Sequence, residues 1–315
     1  MTQAAAPSLD HKTPAPAAPA GTAPPQRADF RFLERLRVRW AEVDMQKIVF
    51  NGHYLMYFDT AVAGYWRALA MPYHQTMEAL QGDLYARKAT VEYEDSARYD
   101  DVIEVGVRCA RIGRSSMLLA LAVLRGGKRL VHGELVYVFA DPATQTSRPL
   151  PAPLREVLEA FEAGLPMVVC TPGDWKAHGQ EAARLRRAVF EAELGAAQPM
   201  GEDAADADAV HVLARNRLGL AVGTGRLVRE AADGGRTSRI GRLAVLAQVR
   251  GAGIGAALVA ALVDAAKARG DREIVLSAQV DARPFYERLG FTPAGAPFDA
   301  AGLAHQEMRR PLSLL

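Results

Sequence analysis

Three alternating glycines occur in the stretch Gln248-Val249-Arg250-Gly251-Ala252-Gly253-Ile254-Gly255, between an apolar strand-like run at 240–246 and an amphipathic, helix-like segment at 256–269. Glycine lets a backbone come close to a diphosphate, because it has no side chain in the way. The helix that follows would point unpaired N–H groups and the positive end of its dipole at the anion. The pattern therefore predicts a loop that binds the pyrophosphate of a nucleotide.

Two better-known phosphate-binding loops are also rich in glycine. A P-loop needs Gly-Lys followed by Ser or Thr, which this stretch lacks. A dinucleotide fingerprint fits Gly251, Gly253 and Ala256 formally. That fingerprint should follow its strand directly and meet an acid at a strand end about 20 residues later, whereas Arg250 intervenes and Glu273 would begin the next strand. A glycine-rich turn without a ligand is a further alternative.

The sequence after the loop adds a second signal. Residues 273–278 are typical of a strand, and a short helix with an aromatic pair follows in Ala282-Arg283-Pro284-Phe285-Tyr286-Glu287-Arg288-Leu289-Gly290-Phe291, ended by Gly290. Together with the loop, this order resembles the GNAT family of acyl-CoA-dependent N-acetyltransferases. The resemblance covers about residues 183–311 and implies an α/β domain with a mixed sheet.

The GNAT resemblance also implies roles for residues. The family's strand before the loop lends backbone N–H groups to the thioester carbonyl, and its loop binds the pyrophosphate of CoA. The matched helix tyrosine, Tyr286, would protonate the departing CoA thiolate, as a phenol with a pKa of about 10 can. The implied acetyl-CoA site comprises Leu243, Ala244, Val245, Gln248, Arg250, Gly251, Ala252, Gly253, Ile254, Gly255 and Ala256.

A general base is also expected, because an amine must lose a proton before it attacks a thioester. The candidates are a cluster of acidic residues and a histidine that precede the glycine loop in sequence. Clustered acids are also typical of a solvated loop. An acidic acceptor pocket would favour a cationic amine, which the sequence does not identify. These candidates are Glu202, Asp203, Asp206, Asp208 and His211.

The N-terminal half predicts a different domain. Residues 32–40 alternate as a strand, and residues 54–69 are long and apolar enough for a buried helix with Asn51 or Gly52 as its N-cap. A long helix wrapped by an antiparallel sheet is the hotdog arrangement, so the chain as a whole is predicted to be α+β. Further strands are predicted at 84–93, 102–112, 117–124 and 129–139.

A second resemblance lies in this half. The segment Val38-Arg39-Trp40-Ala41-Glu42-Val43-Asp44-Met45-Gln46-Lys47-Ile48-Val49-Phe50-Asn51-Gly52-His53-Tyr54 resembles the signature of the 4-hydroxybenzoyl-CoA thioesterase family of hotdog acyl-CoA hydrolases. Residues 91–101 and Arg111-Ile112-Gly113-Arg114-Ser115-Ser116 match its next motifs, and the match spans about residues 31–162. Lys47 stands where the family has a glycine.

The hotdog resemblance assigns the chemistry to Asp44, just ahead of the central helix. This carboxylate would act as a nucleophile that gives a mixed anhydride, or as a general base for water. Backbone N–H groups at the helix start would polarise the thioester carbonyl. The residues implied for the oxyanion and the substrate are Phe50, Asn51 and Tyr54, with Arg114 for the CoA phosphates.

Length and composition bound the function. The chain has 315 residues, 50% of them hydrophobic, and a net charge of +2, which describes a globular protein without a general preference for nucleic acid. No apolar run reaches about 18 residues, so no membrane span is expected. Two cysteines are too few for a disulfide scaffold or a cysteine-based zinc site. We expect no bound metal, no permanently bound cofactor and a cytoplasmic location.

The predicted organisation is a disordered Ala/Pro-rich tail at 1–28, a hotdog domain at 29–164, a linker at 165–179 and a GNAT domain at 180–315. We expect a bifunctional enzyme acting on acyl-CoA and acetyl-CoA, with an unidentified amine as acceptor. The alternatives are a thioesterase whose second domain only senses acetyl-CoA, and a scaffold of two inactive CoA folds. Since hotdog domains of this family pair across a two-fold axis, a homodimer or homotetramer is expected.

Overall fold

The computed structural model describes residues 24–195, 200–230, 236–300 and 302–312. In its first domain one long helix is wrapped by an antiparallel sheet. The helices are α1 (His53–Ala68), α2 (Tyr73–Ala79) and α3 (Ala152–Glu162), and the strands are β1 (Phe32–Arg37), β2 (Asp83–Tyr93), β3 (Val102–Ile112), β4 (Ser116–Arg125) and β5 (Lys128–Ala140). The strand order β1-β3-β4-β5-β2 leaves β1 and β2 as the two edges of this sheet.

Helix α1 forms because apolar side chains recur every three or four residues along one of its faces. Tyr54, Phe58 and Tyr65 lie on this face and are almost fully buried against the sheet, where Val105 and Leu121 are equally buried. The predicted hotdog arrangement is therefore present, and the predicted helix at 54–69 matches α1 within one residue at each end. The short helix α2 was not predicted.

The second domain contains a sheet of seven strands in the order β11-β12-β10-β9-β8-β7-β6. All neighbouring strands are antiparallel except β9 and β10, which are parallel, so the predicted mixed sheet is present. The elements are β6 (Val168–Gly173), α4 (Trp175–Arg186), a π-helical turn (Arg187–Glu193), β7 (Val210–Asn216), β8 (Ala221–Arg229), β9 (Thr237–Val245), α5 (Ile254–Ala268), β10 (Glu273–Gln279), α6 (Arg283–Arg288), β11 (Thr292–Ala300) and β12 (Leu303–Pro311).

Strands β9 and β10 separate part of the way along the sheet. Their parallel pairing runs only from Thr237 to Ile240 on β9. Beyond Ile240, β9 pairs with β8 alone, and its register shifts around Arg242, whose φ of 53° lies in the left-handed region. Such a bulge bends a strand and ends regular pairing, so the outer edge of β9 faces an open cleft.

The prediction of a linker at 165–179 is wrong. Strand β6 lies within that range and pairs with β7, and α4 begins at Trp175 after Asp174 caps it by accepting a hydrogen bond from the Ala177 N–H at 2.8 Å. The side chains of Val168 and Cys170 pack against the second core, which gives this stretch a structural reason to order. Pro172 is compatible with β6 because β6 is an edge strand.

The prediction of a disordered tail at 1–28 is wrong at residues 24–28. Residues 1–23 lie outside the described residues, but residues 24–28 are part of the first domain. The guanidinium of Arg129 donates to the carbonyls of Pro24 and Pro25 at 3.0 and 3.1 Å, and Arg27 pairs with Glu104 at 2.7 Å.

The two domains touch directly. The side-chain amide of Asn216 on β7 donates to the carbonyl of Ala70 at 3.0 Å, and this contact is buried. Ala70, which follows α1, packs into the core of the second domain. In the described part of the chain no helix is long and apolar enough to cross a membrane.

Candidate active sites

A cleft of about 940 Å³ opens where β9 leaves β10. The separated part of β9 forms one wall, and the end of β10 with α6 forms the other. Phe190 and Leu194, from the π-helical region, and Met200 line the cleft from a third side. Most residues of the predicted acetyl-CoA site line this cleft: Leu243, Val245, Arg250, Gly251, Gly253, Ile254, Gly255 and Ala256.

The glycine loop at the mouth of this cleft has the geometry of an anion cradle. Gly251 and Gly253 adopt φ angles of 87° and 78°, which L side chains rarely adopt, and α5 begins directly after them at Ile254. In the described chain no hydrogen bond uses the backbone N–H groups of residues 251–256. These unpaired groups lie at the N-terminus of α5, where the positive end of the helix dipole also lies, and a bound anion would satisfy them.

Three predicted loop and strand residues do not line the cleft. Ala244 is 2% exposed and packs into the core, and Ala252 packs against the same core at the loop. The side chain of Gln248 faces a different cavity, between the two domains. Arg250 lines the cleft, but its guanidinium pairs with Glu193 at 2.5 Å and donates to the Val245 carbonyl at 3.0 Å.

Tyr286 lies on the opposite wall, on α6. Its ring packs edge-to-face against Phe285 and Phe291, with centroid distances of 4.9 and 5.9 Å. The hydroxyl makes no hydrogen bond to another described residue, and burial raises the pKa of Tyr286 to about 12. The phenol is therefore protonated at neutral pH and able to donate a proton into the cleft.

The predicted general bases are not placed for that role. Asp206 is 1% exposed and accepts hydrogen bonds from Arg186 and Arg226, while Asp203 pairs with Arg226 and Arg242 at 2.6 and 2.7 Å. Burial alone would raise the pKa of both carboxyls, but these guanidinium groups hold both pKa values below the ordinary range.

His211 is fully buried behind this cluster. Its Nδ1 accepts from Arg186 at 3.2 Å, so its Nε2 donates to the Asp206 carbonyl at 3.0 Å, and both ring nitrogens are used. Glu202 and Asp208 are exposed and do not line the cleft. Since three arginines neutralise Asp203 and Asp206, and none of the four acids lines the cleft, these residues do not form an acidic acceptor pocket.

The structure instead brings His305 to the cleft, a residue that the sequence did not single out as a site residue. Its Nδ1 lies 2.9 Å from the Leu303 carbonyl, which can only accept, so Nδ1 carries the proton and Nε2 keeps a lone pair. The ring stacks on Phe298 at a centroid distance of 6.1 Å. Its sequence signal is that the segment His305-Gln306-Glu307-Met308 resembles one branch of the GNAT family.

The second candidate site lies at the start of α1 in the first domain. Asp44 is half-buried in a tight turn, where its Oδ1 accepts from the Gln46 N–H at 2.8 Å and its backbone pairs with Ile48. Lys47 completes this turn with a φ of 62°, the left-handed conformation that glycine would adopt without strain. Lys47 therefore adopts the backbone conformation expected of the glycine that the family has at this position.

Glu42 ties this turn to α1, and sequence reasoning did not identify it. Its carboxylate is 4% exposed and accepts from the Arg39 N–H and the Tyr57 hydroxyl, both at 2.7 Å. Burial would raise the pKa of Glu42, but these donors and the Arg39 guanidinium lower it overall. An ionised carboxylate is thus held under the Asp44 turn.

The predicted oxyanion donors divide into used and unused groups. The Phe50 N–H donates to the Glu42 carbonyl at 2.9 Å, and the Tyr54 N–H lies 3.4 Å from the Asn51 carbonyl. The Tyr54 hydroxyl is buried and accepts from the Ala97 N–H at 2.9 Å. The N–H groups of Phe50 and Tyr54 are therefore already used within the fold. In the described chain no hydrogen bond uses the N–H of Asn51 or Gly52, so these two groups are free to bind a substrate oxygen.

Arg114 is not near Asp44 in one copy of the chain. Arg114 lies in the turn between β3 and β4. Arg125, at the other end of β4, donates to the Ser96 carbonyl and lines a surface pocket together with Ile48 of the Asp44 turn. The length of β4 separates the two ends by about 30 Å. Arg114 could join Asp44 only across an interface between two chains.

Comparison with known families assigns each domain. The model of the thioesterase-like superfamily matches residues 38–161, and the model of the acetyltransferase (GNAT) domain matches residues 176–312. Both resemblances predicted from the motifs are thereby confirmed. Among the described residues, no group of three or more His, Cys, Asp and Glu is arranged to hold a metal ion.

Individual relatives match one domain each. A Bacillus subtilis protein described as "Putative acetyltransferase" is 33% identical over 41% of this chain and 86% of its own. An Aquifex aeolicus protein described as "Putative esterase" is 30% identical over 30% of this chain and 73% of its own. The acyl-CoA thioester hydrolase YbgC of Escherichia coli is 26% identical over 38% of this chain and 90% of its own.

The cradle generates a direct prediction for ligand binding. Gly253→Val should abolish binding of acetyl-CoA in the cleft, because a β-branched residue does not adopt a φ of 78° and the loop must move its N–H groups. Titration calorimetry with acetyl-CoA checks this. Gly270→Val is the matched control, since Gly270 has a φ of 79° at the other end of α5 and a Cβ there would meet no atom within 4 Å. Equal acetyl-CoA affinity in wild type and Gly253→Val would contradict the cradle.

Proposed function

Because the chain belongs to the thioesterase-like superfamily in its N-terminal half and to the GNAT acetyltransferases in its C-terminal half, we propose that it is a bifunctional enzyme. It hydrolyses acyl-CoA thioesters in the first domain and transfers an acetyl group from acetyl-CoA to an amine in the second. One observation carries this proposal. Each domain combines one reactive side chain with backbone N–H groups that have no partner in the described chain: Asp44 lies in the turn that precedes α1 and its free Asn51 and Gly52 N–H groups, and Tyr286 lines the same cleft as the glycine loop.

In the second domain the thioester would lie along the free edge of β9. The amine nitrogen attacks the acetyl carbonyl carbon, and the oxyanion is stabilised by N–H groups of β9. Collapse of the tetrahedral intermediate forms the amide and breaks the C–S bond. Tyr286 gives its proton to the sulfur, and the proton lost by the amine goes to a base, for which His305 Nε2 is the best placed acceptor in the cleft.

Substitution of the tyrosine tests the proton donor. Tyr286→Phe keeps the ring that packs on Phe285 and Phe291, so we expect it to bind acetyl-CoA normally and to slow acetyl transfer roughly 100-fold. The rate is measured as amine-dependent thiol release from acetyl-CoA over a panel of amines. Tyr286 is protonated below its raised pKa of about 12, so the wild-type rate should not decline between pH 8 and 10.

One competing function is supported by the contact between the domains. If the second domain only senses acetyl-CoA, ligand bound at the glycine loop would act on α1, because Arg67 of α1 lies beside Gly251. A sensor predicts that acetyl-CoA changes the rate of thioester hydrolysis and that Tyr286→Phe leaves every activity intact. That pair of results would replace acetyl transfer as the function of this domain.

In the first domain the thioester carbonyl would point at the free N–H groups of Asn51 and Gly52, at the N-terminus of α1. Asp44 as a general base takes a proton from water while the water oxygen bonds to the carbonyl carbon and the CoA thiolate leaves. As a nucleophile, Asp44 bonds to that carbon first and displaces the CoA thiolate, and water then hydrolyses the mixed anhydride to the free acid and the Asp44 carboxylate. The acyl-CoA hydrolase activity named for YbgC supports an acyl-CoA substrate.

Asp44→Asn removes the reactive carboxylate but keeps an oxygen that can accept from the Gln46 N–H, so the turn should survive. We expect thiol release from acyl-CoAs to decline roughly 100-fold or more, while acetyl-CoA still binds to the second domain. Asp141→Asn is the matched control, because Asp141 Oδ1 accepts from the N–H groups of Ala143 and Thr144 in a similar turn. Hydrolysis by Asp44→Asn at the wild-type rate would exclude this residue.

We also propose that two hotdog domains pair. Strand β2 is an edge of eleven residues whose outer side has no partner strand among the described residues. Large exposed apolar side chains concentrate at its end and around the Asp44 turn, which is unusual for a free surface. They are Trp40, Met45, Phe50, Leu55, Met56, Tyr93 and Tyr99. A partner copy that covers them would also be able to bring its Arg114 toward Asp44.

The double variant Leu55→Glu, Met56→Glu tests this pairing. Both side chains are exposed on α1, so the domain should fold, but burial of two carboxylates in an interface is unfavourable. Sedimentation equilibrium should give at least twice the chain mass for the wild type and a lower mass for the variant. Leu165→Glu, at an exposed leucine outside this surface, should not change the mass. A monomeric wild type would contradict the pairing.

A further inference from the structure

A second cavity, of about 450 Å³, lies where the two domains meet. Helix α1 and the start of α2 form most of its wall, and Tyr137 of β5 adds to it. Gln248 is the one lining residue that the described part of the second domain provides. Gln248 immediately precedes the loop residues that line the GNAT cleft. The glycine loop therefore stands between two cavities, with the cleft on one side and the interdomain pocket on the other.

A free cation lies where this pocket meets the loop. Arg67 is exposed on the last turn of α1, and a Cβ built at Gly251 would lie 3.9 Å from its Cδ. Across the ranges that the structure describes, the guanidinium of Arg67 has no salt bridge and no hydrogen bond. An unpaired guanidinium next to unpaired N–H groups provides an electrostatic environment for more than one phosphate.

Beyond Arg67 the pocket is aromatic. Trp66, Tyr73 and His74 lie in succession with edge-to-face contacts at centroid distances of 5.4 and 5.9 Å, and all three line the pocket. Aromatic surfaces of this kind bind nucleobases by stacking. Asp59 lines the far end, about 12 Å before Arg67 along the helix axis, where a carboxylate can accept from an exocyclic amino group or a ribose hydroxyl.

We propose that this pocket binds the adenosine 3′-phosphate end of the acetyl-CoA whose pantetheine arm occupies the GNAT cleft, with Arg67 of the hotdog helix contacting its phosphates. The inference rests on the proposed binding of acetyl-CoA by the second domain. The parts of CoA follow the same order as the features of the protein: thioester at β9, pyrophosphate at the glycine loop, nucleotide beyond it. The first domain would thus complete the cofactor site of the second.

The pocket does not belong to the thioesterase site of the same chain. Asp44 and the free N–H groups lie at the N-terminal end of α1, whereas Arg67 lies on its last turn. These ends are about 21 Å apart along the helix. The pocket therefore lies far from the reactive carboxylate of the thioesterase site, whereas Gln248, at the start of the glycine loop, lines it.

The experiment compares two ligands on the full chain by titration calorimetry: acetyl-CoA, and S-acetyl-4′-phosphopantetheine, which lacks the adenosine 3′-phosphate and the second phosphate. In the Gly253→Val variant only the hotdog site is expected to bind acetyl-CoA. The heat measured with this variant is therefore subtracted from that of the wild type. Arg67→Ala should weaken acetyl-CoA binding about tenfold, because a charge-assisted contact is lost, and should leave the truncated ligand unchanged. His74→Ala, at an exposed position, should weaken acetyl-CoA in the same selective way.

Arg35→Ala is the matched control, since Arg35 is an exposed arginine on β1, at the edge of the first sheet opposite to β2, and does not line the pocket. Acetyl-CoA affinity unchanged by both Arg67→Ala and His74→Ala would overturn the inference while leaving the GNAT cleft intact. Equal loss for both ligands in Arg67→Ala would also overturn it, because the arginine would then act on the loop alone. Acetyl-CoA affinity unchanged by Gly253→Val would instead remove the proposed cleft itself.

Discussion

Burial of α1 against the five-stranded sheet is the constraint on which the rest of the structure depends. Phe58 and Tyr65 are fully enclosed, so the helix can neither rotate nor slide without opening a cavity in the first core. Its N-terminus is consequently held beside the Asp44 turn through Glu42 and Tyr57. Its C-terminal end is held beside the second domain, where Ala70 enters that domain's core. One helix therefore sets the position of both candidate sites.

The second domain depends on a local failure of strand pairing. Parallel pairing of β9 with β10 ends at Ile240, and the bulge at Arg242 turns the remaining edge of β9 toward a cleft. The cluster of Arg186, Arg226 and Arg242 with Asp203 and Asp206 lies behind this bulge. Its charges satisfy one another, which explains why acids that the sequence offers for catalysis are structural. The free edge of β9, the glycine loop, Tyr286 and His305 are what remains for chemistry.

What the sequence predicted well depends on short-range patterns. The alternation of β3 predicted its bounds, and the glycine loop followed by an apolar helix predicted α5, whose start at Ile254 lies two residues before the predicted one. These signals lie within a few residues of one another. Strand β6 was missed as part of a linker, since the pairing with β7 and the packing against the second core that order it both involve residues distant in sequence. The acidic candidates were misjudged for a similar reason: Arg242 lies 39 residues from Asp203, and no local pattern joins them.

The interdomain contacts were beyond the reach of sequence reasoning for the same physical reason. Neither Arg67 nor Gln248 has a neighbour in sequence that signals the other domain, and their proximity follows only from the docking of α1 on the second domain. The fold classes could be predicted because the hydrophobic periodicity of each segment indicates its helices and strands. The site between the domains depends on how the folded surfaces of the two domains pack against each other.

The most direct test of the central claim is thiol release by the wild-type chain from a panel of short, long and aromatic acyl-CoAs, measured without amine and then with a mixture of amines. Two separate activities are predicted: amine-independent release from at least one acyl-CoA, and an additional, amine-dependent release from acetyl-CoA. Release that never depends on an amine would leave a thioesterase alone, and absence of release from every acyl-CoA under both conditions would contradict the account of this chain as an enzyme with two CoA-thioester sites.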